Sequence, residues 1–148
     1  LIQLPDGKIV LIDGGNRGDW TFIDQYLSKQ NISTIDYLIA THPHEDHIGS
    51  LPNVIKNYQI GSIYMPKAVA NTKIYQDLLL AIKAKGYQVN TASAGVKLID
   101  SKELKLIFIA PSSTGYDELN NYSAVAKLTY KSNSFLFTGD AEDTSEAE

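Results

Sequence analysis

All three histidines of the chain fall between positions 42 and 47, in the run Thr41-His42-Pro43-His44-Glu45-Asp46-His47, with Asp46 among them. Histidines serving unrelated packing roles would be scattered along the chain. Imidazole nitrogens and carboxylate oxygens are the donors that suit divalent zinc, manganese or iron, so the residue types point to a metal centre and leave the metal open. A turn leaving a strand directs His42 and His44, two residues apart, to one side. Asp46 and His47 then continue around the bend to an adjacent point, which gives room for two ions. The competing reading is a polar surface turn. It would suffice for a lone His-x-His but accounts poorly for four potential ligands placed directly after a buried strand.

Other chemistries fail on spacing. His44-Glu45 resembles the start of a zincin helix, but the position that would hold its second histidine is Ile48. The loop Gly14-Gly15-Asn16-Arg17-Gly18 lacks the spacing and the lysine of a phosphate-binding P-loop and reads as a turn. Ser112-Ser113 has no histidine near it in sequence to act as a base. With no cysteine in the chain, thiolate ligands and disulfides are excluded, and any metal must be held by imidazole and carboxylate.

The elements that would position these residues follow from the apolar patterning. Residues 8–12 form an apolar run that stops at Asp13-Gly14-Gly15, a buried strand ending in a turn. Residues 20–30 carry Phe22, Ile23, Tyr26 and Leu27 at helical spacing, and residues 35–40 return to strand chemistry. The histidine run therefore sits in a strand-to-helix loop, followed by helical periodicity over 48–58 that is interrupted early by Pro52. A strand at 62–65 and a helix at 72–85, closed by Gly86, complete another β-α step. After that the pattern changes to short strands, at 87–90, 96–100, 104–109, 123–130 and 135–137.

A chain of 148 residues, 43% hydrophobic and 20% charged, has the size and composition of one folded domain, 1–148. Its apolar runs are far shorter than the roughly 20 residues a membrane span needs, so the chain is expected to be soluble. The net charge of −4 offers no general attraction for nucleic acid, although bound divalent cations would reverse the sign locally. There is no initiating Met, no signal peptide, and the last residues are an acidic run without periodicity, so the expectation is a fragment of a longer chain.

The segment Thr41-His42-Pro43-His44-Glu45-Asp46-His47-Ile48-Gly49-Ser50 resembles the His-x-His-x-Asp-His motif of the metallo-β-lactamase superfamily. Asp13-Gly14-Gly15 resembles the superfamily's first motif, an aspartate that braces the metal loop. Thr138-Gly139-Asp140 resembles the motif whose aspartate bridges two metals. Within the superfamily, the stretches 120–125 and 135–142 look most like the C-terminal domain of the ComEC-type competence proteins, which import DNA.

The resemblance implies an α/β (α+β) fold, the four-layer αββα sandwich, incomplete here at both ends, with an open sheet edge through which the chain could form a homo-oligomer. It implies two divalent ions, zinc or manganese, with His42 and His44 on the first, Asp46 and His47 on the second, and Asp140 bridging. Asn121 or Ser123 would stand where many relatives carry a further histidine, as a substitute ligand or substrate contact, and Asp13 would give structural support. The implied activity is two-metal hydrolysis of phosphodiesters, with Asp46 and Asp140 catalytic, by a nuclease acting on single-stranded DNA during uptake. The parent would be a membrane protein with this domain at the extracellular face. Two alternatives stay open: a hydrolase of a small ester, thioester or lactam, and an inactive DNA-binding scaffold.

Overall fold

The computed structural model describes all residues 1–148. Two sheets pack face to face, with helices covering the outer face of the first. That sheet has the order β1-β2-β3-β4-β5, namely Ile2–Gln3, Ile9–Ile12, Thr34–Ile39, Gln59–Met65 and Val89–Thr91. β1 is antiparallel to β2, and all other neighbours are parallel. β2 and the end of β3 are covered on both faces, which is why Ile9–Ile12 and residues 37–39 read as continuous apolar runs, whereas the edge strand β5 is exposed. The second sheet is an antiparallel meander of β6 (Lys97–Asp100), β7 (Leu104–Ala110), β8 (Val125–Tyr130) and β9 (Asn133–Phe137).

α1 (Trp20–Lys29), α3 (Leu51–Asn57) and α4 (Lys73–Ala84) bury Leu27, Leu51, Val54, Ile55, Ile74 and Leu78 against Leu11, Ile35, Leu38 and Ile63 of the first sheet. On the other face Val10 and Ile39 meet Leu104, Leu106, Phe108, Ala126 and Leu128 of the second sheet. Phe108 is fully buried there, its ring 5.6 Å from that of Tyr64. α/β/β are thus three of the four expected layers. The outer face of the second sheet carries only the short α5 (Asp143–Glu146), beside Ile109, Val125 and Leu136.

Most expected elements form, with shifts at their ends. The helix at 48–58 divides into α2 (Glu45–Ile48) and α3, and Pro52 sits in the first turn of α3, where its missing N–H costs no hydrogen bond. Thr72 caps α4 by accepting from the Tyr75 amide, and Gly86, at φ 72°, follows its end. β4 begins at Gln59, three residues ahead of expectation, because its first residues pair with Thr34 and Ile35 of β3. The final strand, expected from Phe135, begins at Asn133 for the same reason, through pairing with β8. β9 ends its sheet as an edge strand, with Phe135 and Leu136 both more than half exposed.

Candidate metal centre

Asp13, His42 and Asp140 follow the carboxyl ends of β2, β3 and β9, and His44, Asp46 and His47 lie at or just inside the start of α2. The order of β2, β3 and β4 in a parallel sheet places the first two strand ends side by side, the usual place for a site in such folds. Asp13 takes a left-handed backbone at φ 57°, a conformation aspartate tolerates better than most residues, and this turns its carboxylate back over β3. There Asp13 accepts the Thr41 N–H at 2.7 Å, the Thr41 hydroxyl at 2.7 Å and lies 2.8 Å from His47 Nδ1. The histidine loop is also fixed through its backbone: Gly14 N–H donates to the His47 carbonyl and Ala124 N–H to the Thr41 carbonyl.

These bonds decide which ring nitrogens face inward. With its proton given to Asp13, the Thr41 hydroxyl is left to accept from His42 Nδ1, 3.2 Å away, so the free lone pair of His42 is on Nε2. His42 Nε2 lies 3.1 Å from His44 Nδ1. Two nitrogens bound to one tetrahedral ion at the usual 2.0–2.1 Å stand about 3.3 Å apart, so this pair already has the spacing of two ligands on a common metal. On the other side, His47 Nε2 lies 3.2 Å from Asp140 Oδ1 and 3.8 Å from Asp46 Oδ2. Ligand atoms of His42, His47 and Asp140 all fall within 4.8 Å of one another. Two imidazoles and a carboxylate with that convergence fit a divalent ion, with His44 beside His42 and the more exposed Asp46 beside His47.

The two best-placed imidazoles are shifted in opposite directions. His42 is almost wholly buried, and desolvation, reinforced by the nearby His47 and His44, lowers its pKa to about 4, so it is neutral at physiological pH as a metal ligand must be. His47 is shifted upward, chiefly by its hydrogen bond to Asp13, with the charges of Asp13, Asp140 and Asp46 adding to the effect.

Ser123 and Asn121 part company. The buried Ser123 hydroxyl lies 3.5 Å from His42 Nδ1 and accepts the Asp140 N–H at 3.1 Å, tying the last motif to the first imidazole. Gly139, at φ 55°, makes this approach possible: a Cβ there would stand 3.0 Å from both Ser123 Oγ and Thr41 Cβ. The Asn121 amide is directed to α5, accepting the Ser145 N–H at 3.1 Å and donating to Glu142 at 3.4 Å. It is not brought to the imidazoles. Thr41 was not singled out from sequence, although it is fully buried and joins Asp13 to His42; its place directly before the histidines was the available signal.

The chain is 26% identical over 123 residues to ComE operon protein 3 of Bacillus subtilis (strain 168), covering 83% of this chain and 16% of that protein. It is 32% identical over 74 residues to ribonuclease J of Mycoplasma pneumoniae (strain ATCC 29342 / M129 / Subtype 1), covering 45% of this chain and 13% of that protein. Among solved structures it is similar to CmlA, a diiron β-hydroxylase from Streptomyces venezuelae, with a TM-score of 0.55 at 17% identity, covering 91% of this chain and 26% of that one. The chain thus spans only a small part of each of these relatives. No helix is long and apolar enough to cross a membrane. The profile of the metallo-beta-lactamase superfamily matches residues 1–146, over the same three motifs that build the cluster, and the chain belongs to that superfamily.

Proposed function

We propose that this chain is the metal-holding part of a hydrolase that cleaves phosphodiester bonds, with single-stranded DNA as substrate in the setting of DNA uptake. The observation that carries the reading is the pairing of His42 Nε2 with His44 Nδ1 next to the pairing of His47 Nε2 with Asp140, two donor groups meeting at one strand edge. Ribonuclease J, by its name an enzyme acting on RNA, and ComE operon protein 3 are both relatives, which supports a nucleic-acid substrate.

In this reading His42 and His44 would hold one ion and Asp46 and His47 the other, with Asp140 as a ligand shared by both. Divalent ions bound there, zinc or manganese, would bring the pKa of a water toward neutrality and polarise a phosphoryl oxygen. Asp13 and Thr41 keep the imidazoles in the tautomers that present lone pairs inward, and Ser123 fixes the backbone of Asp140. Asp46 and Asp140, the two more exposed carboxylates of the cluster, would orient the attacking water. The parent protein is proposed to be membrane-associated, with this domain outside the cell.

Elemental analysis together with nuclease assays on single-stranded DNA in manganese or zinc tests this, on the chain and on its full-length gene product. About two ions per protein and cleavage of DNA support it. Metal binding with hydrolysis of a small ester, thioester or lactam but not of DNA would move the substrate to the other hydrolase class. DNA binding with neither metal nor cleavage would leave a scaffold.

A further inference from the structure

Beside the metal cluster, a second pocket of different chemistry opens on the same rim. It encloses about 230 Å³ and is lined by Lys67, Thr91, Ser93, Ser112, Ser113 and Thr114, with no carboxylate among its walls. Lys67 follows the end of β4, Thr91 and Ser93 mark the end of β5, and the run 112–114 follows β7. The backbone joins these strand ends to the histidine loop: Ala40 N–H donates to the Tyr64 carbonyl, Ala92 N–H to Met65, Ala94 N–H to Pro111, and Ala124 N–H to Thr41. From β3, which carries the histidines, to β4 and β5 is one to two strand spacings, about 5 to 10 Å.

The charge pattern of this rim is uneven. In the loops after β2, β3, β4, β5, β7 and β9 the only cations are Arg17 and Lys67. Arg17 is paired with Asp77 at 3.1 Å, whereas the exposed Lys67 makes no ion pair. One wall hydroxyl, that of Ser112, already donates to an anion, together with a tyrosine outside the pocket. Ser112 Oγ and the Tyr116 hydroxyl both donate to one oxygen of the Glu148 carboxylate.

We propose that the pocket formed by Lys67 and the hydroxyls of Ser93, Ser112, Ser113 and Thr114 is a subsite for a backbone phosphate of the substrate strand, neighbouring the phosphodiester at the metal cluster. The inference rests on the nucleic-acid reading above and adds to it the residues that hold the strand away from the reacting bond. One to two β-strand spacings is about the step between neighbouring phosphates of an extended single strand, so the two positions suit adjacent phosphates. Lysine serves as a point charge for such a group, and the hydroxyls donate to its oxygens.

The test is binding of a short fluorescent oligothymidylate, followed by anisotropy across a salt series, with and without metal. Lys67→Ala is expected to weaken binding about tenfold and to reduce the magnitude of the log-affinity against log-salt slope by about 0.7, the loss of one phosphate contact. Lys67→Arg should restore the slope, and Lys67→Glu should weaken binding further. An unchanged affinity and slope in Lys67→Ala would overturn the subsite. Hydrolysis of bis(p-nitrophenyl) phosphate by the wild-type protein reports on the metal cluster separately. Its absence would count against the phosphodiesterase reading, and its presence with an unaltered Lys67→Ala salt slope would sink the subsite alone.

Discussion

Asp13 Oδ2 lies 2.8 Å from Nδ1 of His47, and the opposite nitrogen of the same ring, Nε2, lies 3.2 Å from Asp140. One imidazole thus connects the aspartate that ends β2 with the aspartate that follows β9, residues 127 positions apart by number (140 − 13). The carboxylate fixes the ring's orientation and, by stabilising the N–H, leaves Nε2 as the donor that faces inward.

Asp13→Asn should therefore weaken metal binding while the chain still folds. Outer carboxylates of this kind typically contribute a factor of 10 to 100 in affinity. Competition titration with a chromogenic chelator measures it, and an affinity within a factor of about two of wild type would remove the orienting role from Asp13.

Gly49 allows the histidine helix to approach the loop after β2. A Cβ there would lie 2.2 Å from the Arg17 amide nitrogen and 2.4 Å from the Asn16 carbonyl carbon, both backbone atoms that have little freedom to move. Gly49→Ala is expected to cost about 3 kcal/mol, lowering the melting temperature by about 10 °C. Thermal unfolding followed by circular dichroism checks this, and a near-neutral result would mean that the two loops separate readily.

Phe108 anchors the packing of one sheet on the other. Phe108→Ala should destabilise the fold by about 3–5 kcal/mol through lost burial and the cavity left behind. Denaturant unfolding would report a loss of under about 1 kcal/mol only if the sheets closed over the gap.

The histidines give the metal-free protein an acid-side weakness. His42 has a folded pKa near 4 against an ordinary value of 6.5, so the unfolded chain binds its proton first, and stability falls as pH drops through that window. His47, shifted upward, acts in the opposite sense: its contribution is present below 6.5 and is lost as pH rises through its elevated value. Melting of chelator-treated protein should fall more steeply below pH 6.5 in wild type than in His42→Asn. Parallel curves would show that His42 is not the group responsible.

The edge strand β9, paired with β8 on one side only, exposes Phe135 (53%) and Leu136 (55%). Concentration-dependent association in sedimentation velocity is expected for this chain, and Leu136→Lys should suppress it, because charge on an edge opposes strand pairing. Association that persists in the variant would place the contact elsewhere.

The candidate donors were legible in the sequence because a histidine loop is a local object. His42, His44, Asp46 and His47 are contiguous enough for spacing to reveal them, and the apolar runs of β2 and β3 announce strands buried on both faces. Asp13 and Asp140 were legible through motif order. What depended on pairing between distant segments was not. The early start of β4 and the two residues of β1 are set by registers with β3 and β2, which no local pattern encodes. Asn121 and Ser123, two residues apart, look equally suited to meet the first imidazole, yet the short 3₁₀ turn at Leu119–Tyr122 sends one to α5 and the other to His42. Thr41 and Lys67 carry no signature of their own. The sequence determined which atoms were available for chemistry, since residue type and local spacing are written in it directly. Tertiary structure decided which ring nitrogens face inward and which distant hydroxyls gather around Lys67, because those follow from parallel strands that bring their carboxyl ends to one edge.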